Sequence, residues 1–433
     1  MKTKGRVTVA IGSGLHKVGE LIFETDHRRQ SSVFTYAKEW LTRPGAFALA
    51  PSMPLSEYPV FSSGDRSNRR SALPGALSDT TPDSWGRGII QKALGHPPNE
   101  FEYLLAVNDL TRQGAIRLLD ERGRALSFAQ PPTPRLNDIS NVMQYYRAIE
   151  ANHPDAQALA TKLVGSAGSL GGARPKSDFV ENSILSIAKF TSDRDTMPIE
   201  RMEVATLHLA ARVGLRTAKA SLVLADRAQP IAIIERFDRL GKHRLHYLSA
   251  QTFLGLEEAT GGYYTDIADT MREHCGNADL VTAELKELHD RIMFTILVAN
   301  NDDHLKNHGF LYADDNIWVL APAFDINPQP LRHRHLETGI SPLSGNTASI
   351  EAAIEAAPFF DIAEDDARNR AVAMAEQITY EWRTHCSNAG MTPADIRNYA
   401  PAFENEEMQL ALGKLGSGMN LAKPKQEGRS RQD

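Results

Sequence analysis

Three polar residues in the C-terminal half have the types and spacing that phosphoryl transfer requires. Asp302 is followed five residues later by Asn307, and Asp325 lies beyond a hairpin-like segment. Carboxylate and amide oxygens suit Mg²⁺, and a carboxylate also accepts the proton of a hydroxyl group. In kinases, the Asp of a D-x-x-x-x-N pattern accepts that proton, while its Asn and a second Asp bind the metal. The spacing therefore predicts Asp302 as a base and Asn307 and Asp325 as oxygen ligands.

A helix and a hairpin must bring these residues together. Apolar residues at spacings of three and four, as a helix with one buried face requires, precede the loop at Leu285, Leu288, Ile292 and Ile296. We expect that helix to end near Asn300. Two strand-like runs follow, 308–313 and 317–321, and the intervening Asp314, Asp315 and Asn316 favour a turn. Such a hairpin returns Asn307 and Asp325 to the same end.

Composition places the chain among globular proteins and excludes several classes. It has 433 residues, 42% of them hydrophobic and 24% charged, which predicts two or three ordered domains. A formal charge of −6 gives no general attraction to nucleic acid. The sequence has no long apolar run and no apolar core of a signal peptide, so we expect a cytoplasmic protein without membrane contact. Cys275 and Cys386 lack the spacing of a zinc site, and we expect them to be reduced and structural.

The pattern along the chain predicts a β-rich first half and a helix-rich second half. Strands are predicted within 6–25 and at 47–50, and short helices at 89–94 and 100–108. The proline-rich segment 123–137 has the character of a linker. A helical stretch at 141–162, interrupted near Pro154, follows it.

A glycine-rich segment precedes the next predicted strand. Its sequence, residues 165–177, allows close backbone approach to a ligand, but Pro175 before Lys176 excludes a P-loop, and no dinucleotide-binding fingerprint is present. The strand 184–190 carries Lys189 near its end. A helix is predicted after Pro198. Strands 221–224 and 231–237 follow.

Taken together, these motifs resemble the HipA family of bacterial serine/threonine-protein kinases, the toxins of toxin–antitoxin pairs. The resemblance rests on the segments 82–87 (PDSWGR), 169–176 (SLGGARPK), 235–239 (ERFDR), 302–307 (DDHLKN) and 324–325 (FD). It implies an α+β, two-lobed, protein-kinase-like fold with a β-rich N-terminal part and a helical C-terminal lobe. The implied parts are an N-terminal HipA-type subdomain (1–135), a β-rich kinase N-lobe (136–248), a helical C-lobe (249–418) and a disordered tail (419–433).

The resemblance also implies roles for individual residues. Asp302 is similar to the catalytic base, Lys189 to the lysine that contacts ATP phosphates, and Asn307 and Asp325 to the Mg²⁺ ligands. Glu203 is similar to the ion-pair partner of that lysine, although its place on a helix also fits a solvent-facing residue. Ser169 aligns with a serine that family members autophosphorylate. Further residues implied to contact ATP lie in the glycine-rich loop, the hinge and the catalytic loop, namely Ser169, Gly171, Gly172, Ala173, Arg174, Lys176, Lys189, Glu235, Arg236, Phe237, His304, Lys306, Asn307 and Asp325.

Three functions remain open at this stage. The family implies an ATP- and Mg²⁺-dependent kinase toxin that phosphorylates an aminoacyl-tRNA synthetase and is held by a HipB-type helix-turn-helix antitoxin, through which it meets operator DNA. The alternatives are an antitoxin-binding protein with little kinase activity and a small-molecule kinase. Intact Lys189, Asp302, Asn307 and Asp325 argue against an inactive kinase. His304 and His308 lack a third metal ligand, which favours hydrogen-bonding roles.

Overall fold

A computed structural model describes most of the chain. The described residues are 3–26, 29–65, 71–126, 133–165, 174–223, 229–331 and 334–413. They form a β-rich N-terminal part and a helical C-terminal region, as predicted. Among them, no helix is both long enough and apolar enough to cross a bilayer.

An antiparallel sheet organises the N-terminal part. Its strands are β1 (Thr3–Ile11), β2 (His16–Thr25), β3 (Arg29–Tyr36), β4 (Val60–Asp65) and β5 (Ile116–Leu119), arranged in the order β4-β3-β2-β1-β5. Buried residues alternate along β3, as they do in a sheet with one face against a core. Short helices complete the region: α1 (Lys38–Leu41), α2 (Gly75–Ser78), α3 (Ser84–Leu94) and α4 (Glu100–Ala106).

The prediction of a strand at 47–50 is wrong. This segment is irregular, although Leu49 and Ala50 are fully buried. Side chains supply hydrogen-bond partners for backbone groups of this segment. The amide of Leu49 donates to the Tyr36 hydroxyl at 2.9 Å, and the Trp40 indole donates to the Phe47 carbonyl at 3.2 Å. Apolar residues are therefore buried here without a strand partner, which a hydrophobic run alone cannot indicate.

Helix α3 belongs to a core that extends past the proline-rich segment. It is followed by α5 (Ile139–Glu150) and α6 (Ala156–Leu163), which match the predicted interrupted helix. Ile89 of α3 shares a buried cluster with Tyr146 of α5 and with Phe179 and Phe190 of the next sheet. The helices on both sides of the predicted linker therefore pack together.

A second antiparallel sheet follows. Its strands are β6 (Lys176–Glu181), β7 (Ile184–Phe190), β8 (Ala220–Val223) and β9 (Ile231–Glu235), in the order β6-β7-β9-β8, with α7 (Ile199–Arg212) between β7 and β8. Gly214 lies just after α7 with φ 95°, a conformation that glycine adopts without strain. The short strands β10 (Arg239–Leu240) and β11 (His243–Arg244) pair as a hairpin beyond β9.

The C-terminal region is helical around one small sheet. The sheet consists of β12 (Tyr247–Ser249), β13 (Gly309–Asp314) and β14 (Ile317–Leu320). Its helices are α8 (Ala250–Phe253), α9 (Tyr264–His274), α10 (Ala278–Leu297), α11 (Ile350–Glu355), α12 (Glu364–Asn388), α13 (Pro393–Phe403) and α14 (Glu406–Ala411). The four apolar residues that predicted α10 are all fully buried. Cys275 and Cys386 are free and buried, as expected.

Candidate active site

The end of α10 and the β13–β14 hairpin position the predicted catalytic loop. The helix ends at Leu297, close to the predicted stop, and Ala299 reverses the chain with φ 54°. At the other end of the loop, a Cβ atom on Gly309 would lie 2.2 Å from the Tyr247 ring, so only glycine allows this approach of β13 to β12. The predicted hairpin is confirmed, with a tight turn at Asp315 and Asn316, which both have positive φ.

Within this loop, Asn307 fixes the backbone beside Asp302. The Asn307 side-chain amide donates to the Asp302 carbonyl at 2.9 Å, while its Oδ1 atom is buried and accepts no hydrogen bond within the described residues. The Asp302 carboxylate is exposed. Partial burial raises its pKa, and the negative charges of Asp325 and Glu337 add to this effect, although His304 opposes it. Asp302 therefore combines solvent access with a raised proton affinity, as a general base requires.

Asp303 fixes the loop to neighbouring elements through buried hydrogen bonds, a role that the sequence pattern did not indicate. Its buried carboxylate accepts hydrogen bonds from the Tyr264 hydroxyl, from Thr295 Oγ1 at 3.2 Å and from His308 Nε2 at 3.1 Å. Burial alone would raise its pKa, but His308 and Tyr264 hold the pKa of Asp303 below its ordinary value. His308 is thus a hydrogen-bonding residue, as expected, and the described residues contain no cluster of three His, Cys, Asp or Glu suited to a metal.

Lys189 joins the two predicted halves of the site. Its Nζ atom lies 2.5 Å from Glu203 Oε1 and 2.6 Å from Asp325 Oδ1. Glu203 comes from α7 and Asp325 from the segment after β14, so one ammonium group on β7 joins the second sheet to α7 and to the C-terminal region. The alternative left open for Glu203 is thereby resolved in favour of the ion pair.

The two carboxylates around Lys189 differ in proton affinity. Although burial opposes its charge, Lys189 lowers the pKa of Asp325 to about 2. Burial raises the pKa of Glu203, and the nearby charge of Asp325 adds to this. Asp325 has φ 57°, an uncommon conformation for a residue other than glycine, and accepts a hydrogen bond from the Asn327 amide at 3.0 Å. Asp325 is therefore held as an anion in a fixed orientation.

Lys189, Glu203 and Asp325 line a cavity between the second sheet and the segment after β14. Apolar side chains at Ile187, Ile234, Phe237 and Phe324 line one part, and the Phe237 and Phe324 rings lie 5.4 Å apart. Charged side chains line the other part: Lys176, Lys189, Glu203 and Asp325. The predicted hinge residues Glu235, Arg236 and Phe237 all contribute to the wall. Gln113 from the N-terminal part also lines the cavity, and no sequence motif indicated it.

Two predicted nucleotide contacts have their side chains paired elsewhere. The Arg236 guanidinium is buried and binds Asp178 at 3.0 Å and Asp238 at 2.6 Å. The Arg174 guanidinium binds Asp195 and Glu200. Both charges are therefore paired with carboxylates of the protein in this structure, and the nucleotide contacts implied for Arg174 and Arg236 stay predictions.

The same buried network connects the hinge to the N-terminal part. Arg236 donates to the Thr111 carbonyl at 2.5 Å, and the Gly114 amide donates to Asp238 at 2.7 Å. Arg239 donates to the carbonyls of Arg112 and Gly114 at 2.7 and 3.1 Å. Residues 111–114 are consequently held by residues 236–239, which follow β9, and we call this set of contacts the hinge clamp.

The remaining predicted residues either follow Asp302 in the catalytic loop or lie outside the described residues. His304 is half-buried, with its Nδ1 atom lacking a hydrogen-bond partner among described residues, and Lys306 is exposed. Ser169, Gly171, Gly172 and Ala173 lie outside the described residues. The structure thus joins Lys189 to Asp325 by an ion pair and Asn307 to Asp302 by a hydrogen bond, while the catalytic roles of these four residues stay predictions.

The residues of this site suit Mg²⁺. The Asn307 and Asn327 Oδ1 atoms are buried without partners among the described residues, and the Asp325 carboxylate is anionic. Hard oxygen atoms of this kind are what Mg²⁺ prefers, and it takes few carboxylates from a protein. Asn307 and Asp325 therefore fit a metal that also binds nucleotide phosphates.

Comparison with known proteins agrees with this architecture. Family models described as "HipA N-terminal domain" and "HipA-like C-terminal domain" match residues 9–119 and 168–406. The protein named "Putative kinase Y4mE" of Sinorhizobium fredii is 26% identical over 331 residues, covering 70% of this chain and 73% of that protein. "Putative kinase Y4dM" of the same organism is 23% identical over 270 residues, covering 59% of this chain and 62% of that protein.

A solved structure shares the fold over almost the whole chain. It is the Shewanella oneidensis MR-1 toxin–antitoxin complex of HipA, HipB and operator DNA, with a TM-score of 0.67, 16% sequence identity, and coverage of 94% of this chain and 97% of that chain. At this identity the match shows the fold alone. The two family models span most of the sequence, including the loop that carries Asp302 and Asn307, and the chain belongs to the HipA family.

Proposed function

We propose that the chain is an ATP- and Mg²⁺-dependent serine/threonine-protein kinase that acts as the toxin of a toxin–antitoxin pair. The observation that carries the proposal is the double ion pair of Lys189 with Glu203 and Asp325, three residues that line one cavity. Kinases require this lysine–glutamate pair together with a metal-binding aspartate. A protein that only binds a partner does not need it.

In this proposal, the nucleotide lies in the cavity with its base against the apolar wall. Phe237 and Phe324 form that wall, and backbone groups at Glu235 and Phe237 face the base. Lys189 donates to the phosphates, a task suited to a compact ammonium on a flexible stem. Mg²⁺, when bound, neutralises phosphate charge. Asn307 and Asp325 would hold it.

Asp302 would act on the hydroxyl of the acceptor. Its carboxylate accepts the hydroxyl proton while the hydroxyl oxygen forms a bond to the γ-phosphorus of ATP. The bond between that phosphorus and the β–γ bridging oxygen breaks, and ADP leaves with the electron pair. Positioning of the hydroxyl in line with the leaving group is the main contribution of the protein.

The family supports further, finer proposals. We infer that the acceptor is a seryl or threonyl residue of a host protein, with an aminoacyl-tRNA synthetase as the first candidate, and that the kinase acts in the cytoplasm. We also infer that a HipB-type antitoxin binds the chain and links it to operator DNA. The Shewanella complex, in which HipA is assembled with HipB and operator DNA, supports this partner.

Transfer of labelled γ-phosphate from ATP into host-cell protein tests the proposal. With Mg²⁺ we expect one labelled band near the mass of a tRNA synthetase, and with EDTA we expect none, because the metal offsets phosphate charge. Label on small metabolites alone would instead establish a small-molecule kinase. Folded protein that transfers no label with Mg²⁺ would favour the antitoxin-binding alternative.

Ser169 provides a second prediction. It lies outside the described residues, and the family resemblance suggests that it is autophosphorylated. A phosphate there would add roughly −1.5 to −2 charges near a site that receives ATP, so we expect it to weaken ATP binding. Mass spectrometry after incubation with MgATP should find phosphorylated Ser169 and declining activity. Ser169→Ala cannot be phosphorylated at this position and should keep its activity under the same incubation. An equal decline of activity in this variant would contradict self-inactivation through Ser169.

A further inference from the structure

Two lysines lie directly opposite each other on the wall of the cavity. Lys176 on β6 pairs in register with Lys189 on β7, and both side chains line the same cavity. Like charges directly opposite on a sheet repel each other. Each ammonium group therefore needs a carboxylate of its own if both are to remain at the wall.

The carboxylate for Lys176 comes from the N-terminal part of the chain. Lys176 Nζ lies 2.7 Å from Asp83 Oδ2, and the side chains are only 3% and 5% exposed. Lys189 is held differently, by Glu203 and Asp325. The motif 82–87, which the catalytic proposal leaves without a role, thus reaches the nucleotide cavity through Asp83.

Asp83 is itself held rigidly. Its Oδ1 atom accepts the Gly86 amide at 2.7 Å and caps the N-terminus of α3. Helix α3 in turn packs through Ile89 into the core shared with β6 and β7. One carboxylate therefore uses one oxygen to fix its own position and the other to hold Lys176.

We infer that Asp83 is a positioning residue of the nucleotide site, which holds the Lys176 ammonium at the cavity wall as a second cation for a nucleoside di- or triphosphate. This inference rests on the proposed function. An ammonium group has three donors, so Lys176 can keep its bond to Asp83 while it donates to a phosphate oxygen. The N-terminal part is then a component of the binding site and not only an attached domain.

Asp83→Asn separates the two tasks of this side chain. Asparagine caps a helix as well as aspartate does, so α3 keeps its cap, but the negative charge beside Lys176 is lost. We expect the Kd for ATP and for ADP to rise roughly ten- to hundredfold, as for the loss of one charge-assisted hydrogen bond. Adenosine lacks phosphates, and its Kd should stay near the wild-type value. KM for ATP should rise more than kcat falls.

A double-mutant cycle tests whether Asp83 acts through Lys176. Lys176→Gln should weaken ATP binding by itself, and adding Asp83→Asn to it should cause no further loss. As a control, Glu100→Gln breaks the buried ion pair with Arg87 in the same part of the chain, 2.6 Å long. That variant should lose stability but retain the wild-type Kd for ATP.

The outcomes are distinguishable. Unchanged or tighter ATP binding by folded Asp83→Asn, or additive effects in the cycle, would overturn the inference. Failure of the folded wild type to bind ATP would instead overturn the proposed function. If circular dichroism shows that Asp83→Asn does not fold, Asp83→Ser replaces it. Serine also caps a helix but is too short to reach Lys176. The Kd of this variant for ATP should then rise as predicted for Asp83→Asn, and an unchanged Kd would overturn the inference.

Discussion

Asp302→Asn is expected to reduce the rate of phosphoryl transfer roughly 100- to 10,000-fold, the usual contribution of a general base, with ATP affinity close to that of the wild type. The physical reason is that the substitution removes the proton acceptor but leaves Lys189, Asn307 and Asp325 in place. Single-turnover assays with labelled ATP measure the rate, and equilibrium titration measures the affinity.

The turn of the β13–β14 hairpin offers a matched control. Asp315→Asn makes the same chemical change at an exposed position with φ 48°, which asparagine tolerates, and should leave the rate unchanged. Wild-type turnover by Asp302→Asn would show that Asp302 is not the base.

The pH dependence of the rate provides an independent check on Asp302. Partial burial and the charges of Asp325 and Glu337 raise its pKa, so the reactive carboxylate is protonated at a higher pH than that of an ordinary aspartate. The wild-type rate should therefore fall as the pH decreases through that raised pKa. In Asp302→Asn this acidic limb should be absent, whereas its persistence would assign the titration to another group.

Lys189→Met is expected to be the most destabilising single substitution in the site, by about 3–5 kcal/mol, as for one partner removed from a buried ion pair. Lys189 has a side chain that is 12% exposed, and its loss leaves Glu203 and Asp325 close together without a cation. Urea denaturation measures the free energy of unfolding. Because the phosphates also lose a donor, ATP binding should be lost.

The pH dependence of this variant has a definite sign. Without Lys189, burial and mutual repulsion raise the pKa of both carboxyl groups in the folded state above their unfolded values. The folded variant then binds protons more readily than the unfolded chain, so its stability should rise as pH falls from neutral toward the unfolded pKa. In the wild type, the stability that Asp325 contributes should be lost as the pH falls from the ordinary Asp pKa to the value of about 2 for Asp325.

The exposed pair of Lys4 with Glu24, 3.4 Å apart, serves as the control for Lys189. Lys4→Met should change the free energy of unfolding by about 0–1 kcal/mol, since exposed pairs contribute little. Equal effects of the two substitutions would contradict the structural role assigned to Lys189.

Local periodicity predicted the elements around the site because its determinants are close in sequence. The spacing of Leu285, Leu288, Ile292 and Ile296 predicted α10, and the turn residues at 314–316 predicted the hairpin. The strand predicted at 47–50 failed because its backbone is satisfied by the distant side chains of Tyr36 and Trp40.

The partners of charged side chains were the least predictable part of the site. Arg174 and Arg236 belong to motifs that imply nucleotide contacts, and the carboxylates with which both are paired could not be predicted. Gln113 lines the cavity and Asp83 pairs with Lys176 at its wall, both from the N-terminal part, and no spacing rule in the sequence predicts either contact. Such contacts depend on how separate sheets pack, which a pattern within one segment does not encode.

The hinge clamp restricts which N-terminal parts can be recombined with the rest of the chain among members of this family. Its hydrogen bonds join backbone groups at 111–114 to Arg236, Asp238 and Arg239. The carboxylate of Asp238 accepts the Gly114 amide and also pairs with Arg236. A recombinant that takes its first 119 residues from one relative and the remainder from another must reproduce the loop shape that these buried ions fit. Otherwise charges remain buried without partners, at a cost of several kcal/mol. The loop at 111–114 and the segment 236–239 should therefore be inherited as a unit, despite the long stretch of chain between them.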